Sequence, residues 1–588
     1  MAAIITSKFR FHNAEQFKES FSEAAATNYY LFIGRPSAFA SGTTGGTDSA
    51  PPTPVDNRRS EAYDWDDMLA AKKIDTTGVT HAIPRRDLDV SGATIYDMYR
   101  PNYSSATPAY SGATTLFDST FYFMTSAYRV YKVLENNGNT AWSTAEPTSE
   151  AAPPFAEGGY TLKYMFKLTT TQVQNFLTPD FIPLSITPET NNARTDGALD
   201  VIKVTTAGLA QDGGTTWGTD ADREVLNVPI RGDGTGGLCK VTIGGVSGNA
   251  DGTITACAVT TAGSGYTHGT VLPADIKEQH DIQNTGAANV LTFTTDPVFE
   301  VIIGPDGGHG SNPAKELGGH FCLTDVKLQQ TEGFDFSVVN DFRQIGIVRN
   351  PYSFGTTTNF TGSTCRQTYA VILASNSGTF QVDEKIFQTI APVAIATSGG
   401  MAIDSEDSTK IIVTTQAAHK LTSGQMVKVT GGSWATNATG HLGTHHITVT
   451  AATTFTYNVT ASIAPSGAFT VGSCAYTTFS PQGIVVEWDA TNKILFYEQN
   501  VYDNQGTDAT WKQNIPFGNS GTIEGDTSEA TGVPDTANNG TYNNTVFVAG
   551  YTNPELQPDS GDIIYIENRK PISRASDQTE DVKLVVEF

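Results

Sequence analysis

Apolar residues in this chain come in short runs separated by glycine, threonine and asparagine, and that spacing favours short β-strands over every other element. Tyr29-Tyr-Leu-Phe-Ile33, Phe121-Tyr-Phe-Met124, Tyr128–Leu134, Gly159–Leu168 and Ala370-Val-Ile-Leu-Ala374 are examples. Each has the length of a strand, and turn-forming residues bound most of them. No run approaches the roughly 18–20 apolar residues that span a bilayer, so no membrane insertion is expected. The opening Met1–Arg10 alternates like a strand and lacks the apolar core and cleavage site of a signal peptide. Synthesis in the cytoplasm is the expectation.

At roughly 100–200 residues per domain, 588 residues suggest three to five folded units. Charged residues are only 16% of the chain, with 56 glycines in their place. An ordinary globular protein carries roughly 25% charge, so much of this surface is expected to lie in β-sheet layers or against partners. Acidic residues number 61 against 36 basic, a net charge of −25. That field repels phosphate backbones and anionic membranes, which argues against nucleic-acid binding. Cysteines 239, 257, 322, 365 and 474 form no CxxC pair, and are read as buried free thiols rather than a disulfide framework or zinc site.

Helical signals are few. Asn13 with Gln16 reads as a capping box opening a helix that carries Phe17, Phe21 and Ala24. A second helix is expected from Ser60, with Glu61, Asp64, Asp66 and Asp67 near its start, Lys72 and Lys73 near its end, and Trp65, Met68 and Leu69 as its stripe. Short helices are expected over 170–177 and 312–317, and an exposed loop over 40–57. Residues ~200–300 hold Gly/Thr-rich strands, with Val-Thr-Thr-Ala-Gly at both 204–208 and 259–263. Residues ~391–478 hold four short strands at regular spacing, as in a small β-sandwich or barrel. Both stretches interrupt otherwise continuous segments and are read as insertions into loops.

The reading is therefore an α+β, mainly β, multidomain chain: a two-layer β-rich parent fold with inserted small β-sandwich or barrel domains. Its expected divisions are the N-terminal part of the parent fold at 1–200, an inserted β-rich domain at 201–300 and parent fold again at 301–390. An inserted small sandwich follows at 391–478, and C-terminal strands at 479–588 complete the parent.

Chemical motifs are sparse. There is no HExxH, GxSxG, Walker glycine loop or EF-hand loop. His441, His445 and His446 form the densest histidine cluster. Alternation points His445 and His446 to opposite faces, so they are read as surface polar residues rather than metal ligands. His309, within Gly307-Gly-His-Gly310, is read as part of a structural turn. Arg231-Gly-Asp-Gly-Thr-Gly-Gly237 shows no following helix that would aim its N-terminus at a phosphate, and its Arg-Gly-Asp triplet is read as chance. No cofactor, metal or catalytic residue is assigned, although acid pairs are plentiful enough to leave a carboxylate dyad open.

Several segments are more specific than strand propensity requires. They are Thr6-Ser-Lys-Phe-Arg10, His81-Ala-Ile-Pro-Arg-Arg-Asp87, Gly159–Leu168, Gly307–Gly318 and Asn340–Pro351, then Ser560–Ile572 with Asp577-Gln-Thr-Glu580 and Val582–Phe588. In this order the chain resembles the baseplate wedge subunit of T-even-like contractile-tail bacteriophages, the gene-product-eight type, enlarged by the two β-rich stretches. The resemblance implies a structural virion protein of the tail baseplate, assembled in the host cytoplasm and not an enzyme. It also implies a homodimer that contacts other wedge subunits and takes part in rearrangement on sheath contraction. Arg85, Arg86, Asp87, Arg343, Glu567, Arg569 and Asp577 are the candidate fold-signature or interface residues, because arginine grips a carboxylate at two points and so specifies a register. A receptor-binding tail protein is the alternative, with adsorption lost on deleting 391–478. A glycan depolymerase is the more distant one, recognised by shortening of host polysaccharide.

Overall fold

The computed structural model describes residues 6–23, 27–39, 45–184, 195–212, 215–216, 222–245, 252–284, 290–329, 335–388, 392–419, 421, 423, 426–477, 481–499, 517, 521–575 and 577–588. Strands hold 44% of the described residues and helices 10%, so the fold is mainly β. Five α-helices fall among the described residues: α1 (Ser7–Glu19), α2 (Arg58–Asp66), α3 (Thr170–Phe176), α4 (Pro273–Gln283) and α5 (Pro313–Leu317). No helix among them is long and apolar enough to cross a membrane.

The chain folds as two units built from separated stretches. One takes Met1–Ala25, Asp75–Asp325 and Lys583–Phe588; the other takes Ala26–Ile74 and Val326–Val582.

In the first unit, Arg129–Glu135 and Tyr160–Lys167 form the middle of a four-stranded sheet flanked by Tyr122–Met124 and Phe155–Glu157. Phe121, Tyr131, Trp142, Tyr160 and Met165 fill its core with essentially no exposure. The 201–300 stretch leaves and returns along one antiparallel pair, Leu199–Thr206 with Val298–Ile303. A hydrophobic cluster drawn from residues 199–301 lies within it.

In the second unit, five antiparallel strands run in the order Thr364–Arg366, Met68–Lys73, Tyr29–Gly34, Phe342–Arg349, Asp562–Ile572. Every residue of Tyr29–Gly34 is buried, as its unbroken apolar run requires of a strand covered on both faces. Gly346 crosses it where a Cβ would come within 2.3 Å of the Phe32 ring.

Six further strands close on themselves into an antiparallel barrel. In sequence around it they are Ile494–Glu498, Gln482–Asp489, Lys385–Gln388, Ile523–Gly525, Thr531–Pro534 and Tyr369–Ser377, the last pairing back to the first. Closure leaves no edge exposed around the ring. Lys385–Gln388 and Gln482–Asp489 are neighbours there, with Phe387 opposite Gln482. The whole 391–478 stretch thus occupies the turn of one hairpin. Within it, two four-stranded sheets share a cluster drawn from residues 395–476.

Several local expectations are corrected. Helix α1 begins at the Thr6 cap, whose side chain accepts from Phe9 N, so Lys8–Arg10 are helical and Asn13 is interior. Asn57, rather than Ser60, caps α2 by accepting from Arg59 N and Ser60 N. Lys72 and Lys73 belong to the next strand, along with Met68 and Leu69. The 201–300 stretch also contains α4, which its Gly/Thr-rich surroundings concealed. The expected short helices at 170–177 and 312–317 are present as α3 and α5. Ala24 and residues 40–44 of the expected loop lie outside the described residues.

Candidate functional site

The densest group of buried chemistry in the first unit is built on α5. Asn312 caps this short helix by accepting from Lys315 N at 3.0 Å, and Pro313 occupies its first turn. Gly318 closes it in the left-handed conformation, at φ 83°, where a Cβ would strike the Phe117 ring. This places the Glu316 carboxylate in the buried interior. It accepts from Gly310 N at 2.8 Å and Asn312 N at 3.0 Å, and it receives the Lys132 ammonium from the strand Arg129–Glu135. Lys132 and Glu316 side chains are 0% and 1% exposed.

Lys132 also lies over the Tyr99 ring, 4.7 Å from its centroid, and buried His309 meets Tyr99 edge-on at 5.0 Å. Burial lowers the Lys132 pKa while Glu316 opposes the shift. An amine held this way is not free to act as a nucleophile. Instead, the pair fastens the glycine-rich loop 307–311 to the sheet. Glu316 and Tyr99 line a groove of about 650 Å³, walled mainly by Phe11, Leu116, Phe117 and Ile303. His320 borders it too, its pKa pushed down to about 4 by burial and by nearby Arg10.

A second group lies in the second unit. Arg35 binds Asp67 at 2.7 Å, and Glu498 beside them is 5% exposed with one carboxylate oxygen unpartnered. Burial raises the Glu498 pKa, and Asp67 adds to the shift. Asp64 is raised to about 7 by burial, against a 2.9 Å hydrogen bond from Gln344 Nε2. Among the described residues, no three or more His, Cys, Asp or Glu side chains are placed to hold a metal ion.

Of the seven candidate residues, Arg85, Arg86 and Asp87 belong to the first unit and Arg343, Glu567, Arg569 and Asp577 to the second. Arg85 Nε reaches Asp87 at 2.9 and 3.0 Å, and its Nη1 donates to the Thr178 carbonyl at 3.0 Å. Arg86 stacks over Tyr122, 4.4 Å from the ring centre, and donates to the Phe117 carbonyl. In the second unit, Arg343 is 8% exposed and grips both oxygens of Asp48 at 3.1 Å and the Pro36 carbonyl. Glu567 and Arg569 pair along the strand Asp562–Ile572 at 3.0 Å, with Tyr565 donating to Glu567. Asp577 is exposed. Arg85, Arg86 and Arg343 thus bind this chain's own backbone or side chains.

The histidine reading needs correction as well. His441 is fully buried rather than on the surface, with Nε2 2.9 Å from the Gly431 carbonyl. His445 stacks on Tyr457 at 4.1 Å, and only His446 is exposed. The Arg-Gly-Asp triplet has internal work. Arg231 makes a two-point bond to Asp275 of α4, at 2.9 and 2.7 Å, and Asp233 accepts from Thr267 N and Oγ1. The tie to Asp275 was invisible without α4.

Compared with known protein families, the chain matches the one described as Bacteriophage T4, Gp8, over residues 532–588. The match covers about a tenth of the length. It contains the edge strand Asp562–Ile572 of the five-stranded sheet and the closing strand Thr579–Glu587. No curated protein matches the chain.

Proposed function

We propose that this chain is a structural subunit of a phage tail baseplate, of the wedge type, and that it acts by docking rather than by catalysis. The family match over 532–588 carries the reading. Exposed apolar side chains in that segment support it: Val533, Val546, Val548 and Ile564 are 42%, 59%, 69% and 42% exposed. Val546 and Val548, two positions apart and both well exposed, are apolar groups of the kind a partner covers. The low charge content noted above fits the same picture.

On this reading the chain forms a homodimer, joins neighbouring wedge subunits and shifts its contacts when the sheath contracts. The stretches 201–300 and 391–478 are insertions that decorate a parent fold. Each departs and returns along one antiparallel strand pair and carries its own apolar cluster.

Co-expression with the neighbouring wedge proteins of the same phage tests the docking claim. The full chain is expected to co-purify with them as a dimer. Val546→Asp with Val548→Asp is expected to weaken that association at least tenfold while unfolding stays cooperative. A folded monomer indifferent to those proteins would contradict the proposal.

A further inference from the structure

Two thiols in the 201–300 stretch meet on one face of a sheet. Cys239 lies on the strand Leu238–Ile243 and Cys257 on its antiparallel neighbour Ile254–Thr261. Cys239 stands opposite Val259, and Cys257 opposite Val241, so the cysteines are diagonal neighbours. Diagonal positions on one face stand about 7–8 Å apart with their Cβ atoms somewhat closer, so a bridge between these cysteines requires a small shift of the two strands. Both belong to the same apolar cluster, and the Cys239 side chain, together with burial, raises the pKa of the Cys257 thiol.

Access differs between them. Cys239 is fully buried, whereas Cys257 is half-buried and lines a groove of about 800 Å³ together with Ala256 and Ala258. The other three cysteines, Cys322, Cys365 and Cys474, are buried.

We infer that Cys239 and Cys257 are a redox pair that closes to a cross-strand disulfide when a small oxidant enters the groove. With hydrogen peroxide as oxidant, the Cys257 thiolate attacks one peroxide oxygen and expels hydroxide, leaving a sulfenic acid. Cys239 then gives up its proton, and its sulfur attacks the Cys257 sulfur. The sulfur–sulfur bond forms as hydroxide departs. Overall, two thiols and one peroxide become one disulfide and two waters.

The neighbouring Cys239 side chain and burial raise the Cys257 pKa and keep its thiol protonated. Closure is therefore slow at neutral pH and faster in alkali, because the thiolate is the reacting species. In a reducing cytoplasm the pair stays open, and in a particle released from the cell it closes. That setting rests on the proposed baseplate role; the chemistry does not.

The test treats the folded full-length chain with hydrogen peroxide, blocks remaining thiols under denaturing conditions, and maps the peptides by mass. A peptide pair joined through Cys239 and Cys257, lighter by two hydrogens and separated by dithiothreitol, is expected. Formation should accelerate as pH rises. Cys257→Ser should abolish it, and Cys322→Ser should leave it unchanged. Recovery of both thiols unlinked, or Cys257 as sulfinic acid beside free Cys239, would overturn the inference. This readout needs no wedge partner, so it fails or succeeds independently of the docking proposal.

Discussion

Lys132 shows what a buried charge does in this molecule. Taking an ammonium out of water costs several kcal/mol, and only a well-placed counter-ion with satisfied hydrogen bonds offsets it. Glu316 meets that condition, since two backbone amides complete its coordination. Lys132→Ala should therefore destabilise the chain by about 3–5 kcal/mol, because Glu316 would be left buried and unpaired. Replacing Lys132 by Met and Glu316 by Leu together should recover most of that loss, as urea unfolding would show. Neither residue stood out in the sequence, where one lysine inside a strand and one glutamate after a proline carry no sign of pairing across 184 positions.

Asp64 sets a pH dependence. Its pKa lies near 7 in the folded chain, against about 4 when unfolded. The folded state therefore takes up this proton first, and stability from Asp64 rises as pH falls through 7. Asp335, raised to about 6 by burial, acts in the same direction. His81, lowered to about 4 by burial, acts in the opposite one, costing stability below about pH 6.5. Comparing Asp64→Asn with the parent isolates one contribution. The variant should be more stable at pH 8, by on the order of 2 kcal/mol once solvent screening is allowed for, with the gap closing by pH 5. A gap constant from pH 8 to 5 would refute the assignment.

At the scale of elements, legibility followed the strength of local signals. The run Tyr29–Ile33 was plain because a strand buried on both faces needs unbroken apolarity. Helix α3 was found where Thr169 and Gln172 form a reciprocal cap. The start of α1 was missed because Thr6 caps without a glutamate or glutamine at the third position, while Asn13 and Gln16 imitate one. Helix α4 was missed because it has no side-chain cap and lies among turn residues. Met68 and Leu69, expected on a helical stripe, lie buried on a strand, since two apolar neighbours fit either period.

The hairpin geometry around 391–478 makes the insertion reading testable. A short glycine-containing turn can join Gln388 to Gln482, because those strands are already in register. Loop closure depends only weakly on loop length, so removing residues 389–481 should leave unfolding cooperative and change stability by about 1–2 kcal/mol. Aggregation of the shortened chain, or loss of its cooperative transition, would show that the stretch is an integral part of the barrel.

For the whole molecule, fold class was readable in the sequence. Short strands punctuated by glycine and threonine foretell a mainly β chain. The division into two units, each gathering distant segments, depends on long-range pairing that periodicity does not encode. The candidate residues illustrate the same limit. Arg85 with Asp87 and Glu567 with Arg569 do pair, yet each pair is local, two residues apart. Arg343 finds Asp48 across 295 positions, a contact that only the folded chain reveals.

The docking proposal is tested most directly by electron cryomicroscopy of purified particles assembled with a tagged copy of this chain. The account predicts label in the baseplate, repeated around the tail axis, with residues 532–588 covered by a neighbouring subunit. Label confined to the head or the fibre tips, or absence of the chain from purified particles, would contradict it.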